Sequence, residues 1–251
     1  MINFENKNVL VTGGSRGIGK ACVELFLKAK ANVAFTFQRA KEEAEKITSV
    51  NKSSSMLKYY KMDLSNAEEI EKVIGSILKD FGTIDIIVNN AGIWKEAAID
   101  RMTLEQWNET ININLTSTYL ITKLLVPAMK KNRFGRIINI ASTAGQRGEA
   151  FHSHYAASKG GMISLTKSLA SELGMYNITV NCVAPGWVIT DMTTDSLADT
   201  GTNRKVLEDI PLNKIAQPEE IAGPVLFLAS NLASHITGEI LNVNGGSVLC
   251  G

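Results

Sequence analysis

Tyr155 and Lys159 stand four residues apart in His154-Tyr155-Ala156-Ala157-Ser158-Lys159-Gly160-Gly161. On a helix that spacing puts both side chains on one face, roughly one turn from each other. A protonated amine beside a phenol favours the phenolate and is expected to lower the tyrosine pKa from about 10, which makes a proton donor and acceptor near neutral pH. Tyr-x-x-x-Lys also arises by chance on surface helices, so the pair means chemistry only if the rest of the chain supplies something for it to act on.

The chain first does so near its start. Thr12-Gly13-Gly14-Ser15-Arg16-Gly17-Ile18-Gly19 follows the apolar run Val9-Leu10-Val11 and opens a stretch in which Ile18, Ala21, Cys22, Leu25 and Phe26 recur at helical spacing. Gly13, Gly17 and Gly19 make G-x-x-x-G-x-G rather than the commoner G-x-G-x-x-G. The physics carries over: glycines permit a tight turn, a close backbone approach and close helix packing, while the helix N-terminus faces a pyrophosphate. Ser15, Arg16 and Ile18 complete the expected dinucleotide loop. An NAD site usually offers an acid some twenty residues after the glycines, to hold the ribose 2′-hydroxyl. Here Thr36-Phe37-Gln38-Arg39 holds none, and Arg16 and Arg39 could both reach a 2′-phosphate. NADP (NADPH) is therefore the expected cofactor. Asp63-Leu64, after a third strand, would lie against the adenine, with Asp63 accepting from its amino group.

These residues need a scaffold. From Asn8 short apolar runs alternate with longer helix-period stretches. Strands are expected at 9–11, 33–37, 57–60, 84–88, 136–140, 179–184 and 239–243. Helices are expected over 17–30, 41–47, 65–80, after Thr103, over 110–131 and 154–174, and from Pro218. Ser65 with Glu68, and Thr103 with Gln106, have the spacing of capping boxes. Residues 191–209 are polar, poor in large apolar side chains, and expected to form a mobile substrate loop. Strand–helix alternation throughout predicts one α/β domain over 1–251: a Rossmann-type doubly wound parallel sheet of about seven strands, with helices on both faces.

Composition removes several function classes. At 251 residues, 45% hydrophobic and 20% charged, the chain can bury a sizeable core. A net charge of +1 leaves no polyanion signature, so no nucleic-acid partner is expected. No apolar run reaches the roughly eighteen residues of a membrane span, and no apolar h-region follows Met1, so neither a membrane nor secretion is expected. Cys22, Cys182 and Cys250 lack Cys-x-x-Cys spacing, which favours reduced thiols and a cytoplasmic setting. His152 and His154 have no further ligand at metal spacing, so no metal is expected.

Taken in order, Thr12-Gly13-x-x-x-Gly17-x-Gly19, Asn89-Asn90-Ala91-Gly92, Asn114, Ser142, Tyr155-x-x-x-Lys159 and Pro185-Gly186 resemble the short-chain dehydrogenase/reductase family over essentially the whole chain. The resemblance implies that Tyr155 exchanges a proton with a substrate oxygen, that Lys159 lowers its pKa and holds the nicotinamide ribose, and that Ser142 hydrogen-bonds the same oxygen. It implies that Asn114 holds a water linking Lys159 to solvent. It places Asn90, Ala91 and Gly92 along the cofactor, and Pro185, Gly186, Val188 and Thr190 against the nicotinamide carboxamide. Hydride transfer builds charge on one oxygen, for which Ser142 and Tyr155 supply two donors.

Within the family the chain looks most like the 3-oxoacyl-(acyl-carrier-protein) reductases, which implies reduction of a 3-oxoacyl thioester, a role in fatty acid biosynthesis and a homotetramer. The supporting residues, Pro185-Gly186-x-x-x-Thr190-Asp191-Met192 and Val243-Asn244-Gly245-Gly246, are shared by many sugar and small-ketone dehydrogenases. An acidic carrier protein would need basic residues at the site mouth. Lys130, Lys131 and Arg133 could serve, but Tyr176 stands where these reductases typically have a second basic residue. Trp94, Gln146, His152 and Trp187 are the substrate-pocket candidates. The alternatives are an NAD(P)-dependent dehydrogenase of a small alcohol or sugar, and a non-catalytic nucleotide-binding protein on the same fold.

Overall fold

Short runs of Val, Ile and Leu without alternating polar residues are what a strand buried on both faces requires. The structure, a computed structural model, describes residues 2–50 and 55–249. Its strands are β1 (Asn8–Val11), β2 (Asn32–Phe37), β3 (Leu57–Lys61), β4 (Ile86–Asn89), β5 (Gly135–Ile140), β6 (Ile178–Pro185) and β7 (Ile240–Val243). They form one parallel sheet in the order β3-β2-β1-β4-β5-β6-β7. The helices are α1 (Gly17–Lys28), α2 (Lys41–Val50), α3 (Ala67–Phe81), α4 (Leu104–Ile111), α5 (Ser117–Asn132), α6 (Ala144–Arg147), α7 (Ser153–Leu173), α8 (Thr194–Ala198), α9 (Thr200–Glu208) and α10 (Pro218–Ala229).

The sheet separates two cores. Val9, Val11, Val33, Phe35, Ile86 and Val88 face Cys22, Val23 and Phe26 of α1 and Ile221 and Val225 of α10. The alternate residues Leu10, Ala34, Ile87 and Ile137 face Ile70, Ile74 and Ile77 of α3 and Ile121 and Leu125 of α5. Period-two side-chain direction thus sends neighbours along each strand to opposite cores. The doubly wound expectation holds. Among the described residues no helix is long and apolar enough to cross a membrane. Cys22 and Cys182 are free and buried, while Cys250 lies outside the described residues.

Two local expectations need correction. The cap of α3 is Asn66, not Ser65, and its side chain accepts from Glu69 N. Asp63 Oδ1 accepts both the N–H and the hydroxyl of Ser65, at 2.9 and 2.7 Å, which leaves the next residue to cap. The long helix expected over 110–131 is instead α4 and α5 joined by a π-turn at Asn112–Thr116. Residues 191–209 hold α8 and α9, the latter capped by Asp199 accepting from Thr202 N at 2.8 Å. The Thr103–Gln106 capping box is present as expected.

Candidate active site

Strand order reverses between β1 and β4, and at such a switch point an open parallel sheet holds its ligands beyond the carboxyl ends of the strands. Thr12 ties the two sides of that point together. Its Oγ1 accepts from the N–H groups of Asn90 and Ala91, both at 3.0 Å, while Asn90 Nδ2 donates to the carbonyl of Thr12 at 2.8 Å. Gly17 has φ +51°, a conformation that strains any side chain, and a Cβ on Gly19 would run into the Gly13 carbonyl. Arg16 is the N-cap of α1 but makes no side-chain capping bond, so the first-turn N–H groups are left without a side-chain acceptor. A glycine-lined cradle on an uncapped helix N-terminus fits the pyrophosphate of a dinucleotide. Ser15 is buried beneath this loop and Ile18 partly buried beside it.

The adenosine end is built from β2 and β3. No carboxylate lies in Thr36-Phe37-Gln38-Arg39, and the Arg39 side chain is exposed. Asp63 is kept below the usual carboxylate range, chiefly by its bonds with Ser65, with Gln38 and Arg39 adding to it. Its Oδ1 is therefore already engaged by Ser65, and Leu64 is half-buried beside it. Arg16 does not stand free for a phosphate: its guanidinium donates to Asp191 Oδ2 at 3.2 Å.

The catalytic candidates meet across β5 and α7. Ser142 follows β5, and its hydroxyl accepts from Ala144 N at 3.1 Å. The Tyr155 phenol is pushed up to about 12 by burial, and its hydrogen bond with Ser142 pulls the other way. Lys159 is only 3% exposed. Burial brings its ammonium down to about 8. It donates to the Ile140 carbonyl at 2.7 Å, and lies 5.8 Å from the centre of the Tyr155 ring. The expected lowering of the tyrosine pKa by Lys159 is thus not the balance found. Desolvation of the phenol dominates, because the ammonium is turned toward the end of β5. With the Ile140 carbonyl taking one of its three N–H groups, Lys159 retains donors for a ribose.

Asn114 sits in the π-turn. Its Oδ1 accepts from Ile93 N at 2.8 Å, and its Nδ2 donates to Ile93 O at 2.9 Å and to Ser158 Oγ at 3.1 Å. A Cβ on Gly92 would stand 3.1 Å from Asn114 Oδ1 and 3.6 Å from Lys159 Nζ, so both polar groups converge on the Gly92 backbone. The π-turn is what aims the asparagine: one extra residue in the helix turns Asn114 toward Ile93, while Ile121 and Leu125 downstream still face the core.

An aromatic wall stands at the mouth. Trp94 stacks on His152 with centroids 4.5 Å apart and meets Trp187 edge-on at 5.9 Å. Trp94 Nε1 donates to Glu149 at 3.2 Å. Gln146 donates to Asn242 at 2.7 Å, which fixes it in the wall instead of leaving its amide nitrogen free. Pro185 ends β6, Gly186 N donates to Val243 O at 3.2 Å, and Val188 bridges to Ala216. Beyond them Thr193 Oγ1 donates to Val188 O at 2.6 Å and accepts from Thr190 N at 3.2 Å, knotting the turn. A cavity of about 210 Å³ behind Trp187 is lined by Thr143, Arg147, Val206, Asp209, Ile210 and Ser247.

Sequence reasoning gave no site role to Thr12, Ser158, Glu149 or Asp191, although Thr12 and Asp191 stand inside the motifs quoted for the family. Thr12 and Ser158 had a signal, since each adjoins a motif glycine or lysine and is a small hydroxyl in apolar surroundings. The pairing of Asp191 with Arg16 had none, because it joins residues 175 apart. Also unread was a buried ladder from Asn89 Nδ2 to Asn139 Oδ1 and from Asn139 Nδ2 to Thr166 Oγ1, each 2.9 Å, which pins the middle of α7 to the sheet.

A family model described as enoyl-(acyl carrier protein) reductase matches residues 13–247. The 3-oxoacyl-(acyl-carrier-protein) reductase FabG of Aquifex aeolicus is 43% identical over 248 residues, covering 98% of each chain. The enzyme of the same description from Escherichia coli (strain K12) is 42% identical over 247 residues, with 98% of each chain covered. A crystal structure from Brucella melitensis, described as a short-chain dehydrogenase/reductase of the glucose/ribitol dehydrogenase type, matches with a TM-score of 0.92 at 34% identity and covers 99% of both chains.

Proposed function

Because this chain belongs to the short-chain dehydrogenase/reductase family and is a short-chain oxidoreductase, we propose that it uses NADPH to reduce the 3-oxo group of an acyl thioester to a hydroxyl, with Tyr155 as proton donor. The observation that carries the reading is the meeting of Ser142 and the Tyr155 phenol beside a buried lysine.

The bound nicotinamide would supply a hydride to the carbonyl carbon. The chain's residues manage the oxygen. Ser142 and Tyr155 offer two hydroxyl donors to one point, where negative charge grows. A phenol held at about 12 keeps its proton at neutral pH, which suits giving it away, whereas oxidation would first require the phenolate. Lys159, at about 8, is mostly an ammonium at pH 7, and with one donor on the Ile140 carbonyl it has others to hold the nicotinamide ribose. Asn114 holds the Ile93–Gly92 backbone against that lysine. Gly13, Gly17, Gly19 and the α1 N-terminus take the pyrophosphate. Arg16 and Arg39 take the 2′-phosphate, supported by the missing acid after β2. Ala91, Gly92, Pro185, Val188 and Thr190 line the nicotinamide end.

The substrate class is supported by the names of the A. aeolicus and E. coli relatives. An acidic acyl carrier protein is the partner this implies. Lys131 and Arg133 are exposed near the end of α5, while Lys130 is committed to Glu172 at 3.6 Å and to the Tyr176 ring at 4.9 Å. The reading places the enzyme in the cytoplasm as a homotetramer. A second reading, a sugar or polyol dehydrogenase, is favoured by the polar lining behind Trp187, where Arg147, Asp209, Thr143 and Ser247 gather. A panel of acetoacetyl thioesters, free ketones and sugars, each with NADPH and NADH, separates the two. Thioester reduction with NADPH is the expected result, and turnover of sugars alone with NAD would replace it.

A further inference from the structure

Arg16 faces two anions. Its guanidinium donates to Asp191 Oδ2 at 3.2 Å, and the proposed cofactor would bring a 2′-phosphate to the same group. Asp191 does not reach it by chance. The turn that carries Asp191 is tied by Thr193 Oγ1 to Val188 O and by Thr194 Oγ1 to Thr190 O, at 2.6 and 2.9 Å, and Val188 bridges to Ala216. The turn also leans on the glycine loop, since a Cβ on Gly17 would stand 3.2 Å from Thr190 Cγ2. A stiff turn in van der Waals contact with the loop holds a carboxylate where the loop's arginine finds it.

We propose that Asp191 competes with the cofactor's 2′-phosphate for Arg16 and thereby limits how strongly this chain prefers NADPH over NADH. The proposal rests on the NADP reading of Arg16. Asp191 touches neither substrate nor the reacting atoms and is a positioning residue acting through Arg16. Both side chains are 66% exposed, so the ion pair is of the weak, screened kind. An arginine that must leave such a pair before it binds phosphate loses affinity by about two- to sixfold. The coupling is reciprocal: a phosphate that takes Arg16 also releases the Asp191 carboxylate from the glycine loop.

The test is binding, without substrate, of NADPH and NADH to the full chain at low salt, read by nucleotide fluorescence for wild type, Asp191→Asn, Asp191→Glu and Arg16→Ala. Asp191→Asn should tighten NADPH about two- to sixfold and leave NADH unchanged, with the gain fading as salt rises. Asp191→Glu, which keeps the charge, should stay near wild type. If Arg16→Ala weakens NADPH selectively while Asp191→Asn changes nothing, the competition is overturned and the cofactor reading stands. If Arg16→Ala weakens both nucleotides equally, the NADP reading falls and the competition falls with it.

Discussion

Buried charge decides what the residues of this site can do. Lys159 sits at about 8 against an ordinary 10.5, so the folded chain releases that proton before the unfolded chain does. Between pH about 8 and 10 the unfolded state carries the extra proton, and this group's contribution to stability rises with pH. Wild type should therefore gain on Lys159→Met as pH climbs through that window, by about 2 kcal/mol at most. Thermal midpoints of both proteins at several pH values check this, and a constant gap between them sinks the buried-cation account. Tyr155→Phe removes the proton but little volume. Turnover should fall at least a hundredfold, on the order expected for losing a general acid, with cofactor affinity nearly intact; unchanged turnover would dispose of the mechanism. The identity of the pair was legible in the sequence because helical spacing alone brings Tyr155 and Lys159 together. The direction of the tyrosine's pKa was not, because desolvation is set by what the fold packs around the phenol, and spacing carries no record of that.

At the scale of elements, one residue of offset separates expectation from structure in two places, for different reasons. Ser65 and Glu68 have the right spacing for a capping box, but so do Asn66 and Glu69, and only the preceding Asp63 decides between them. Asn66→Ala should cost about 1 kcal/mol, roughly 2–4 °C in melting temperature, whereas Ser65→Ala should stay within about 0.5 kcal/mol. Calorimetry on the two variants checks the assignment, and the opposite ranking would restore Ser65 as the cap. The π-turn is different in kind. Asn112-Ile113-Asn114-Leu115-Thr116 reads as ordinary helix, and the extra residue is imposed from outside by the bonds Asn114 makes to Ile93. Strands were easier, since Val9–Val11 and Ile137–Ile140 are apolar on both faces and have no other stable use. Asn139, polar in the middle of such a run, was the visible trace of the ladder to Thr166.

For the whole molecule, alternation of strand and helix was enough to foresee a doubly wound sheet, because right-handed crossovers leave few other ways to cover both faces. Assembly was not readable from pattern. β7 ends the sheet with every residue only partly buried, and Leu104 and Tyr119 stand exposed on the α4–α5 side. The homotetramer proposed from the family should elute at four times 27.2 kDa, and a monomer in light scattering at micromolar concentration would remove it from the reading. The bonds between Thr12 and Asn90 span 78 residues of chain. At about 5–20 residues per second, a ribosome needs about 4–16 s to deliver the second partner after the first. Once β2 has been made, β1 has β2 on one side and an open flank on the other until β4 follows. The nascent chain is then an unfinished sheet that invites wrong pairing. Dinucleotide cannot rescue it as a folding ligand, since the second wall of its cradle has not yet been synthesised.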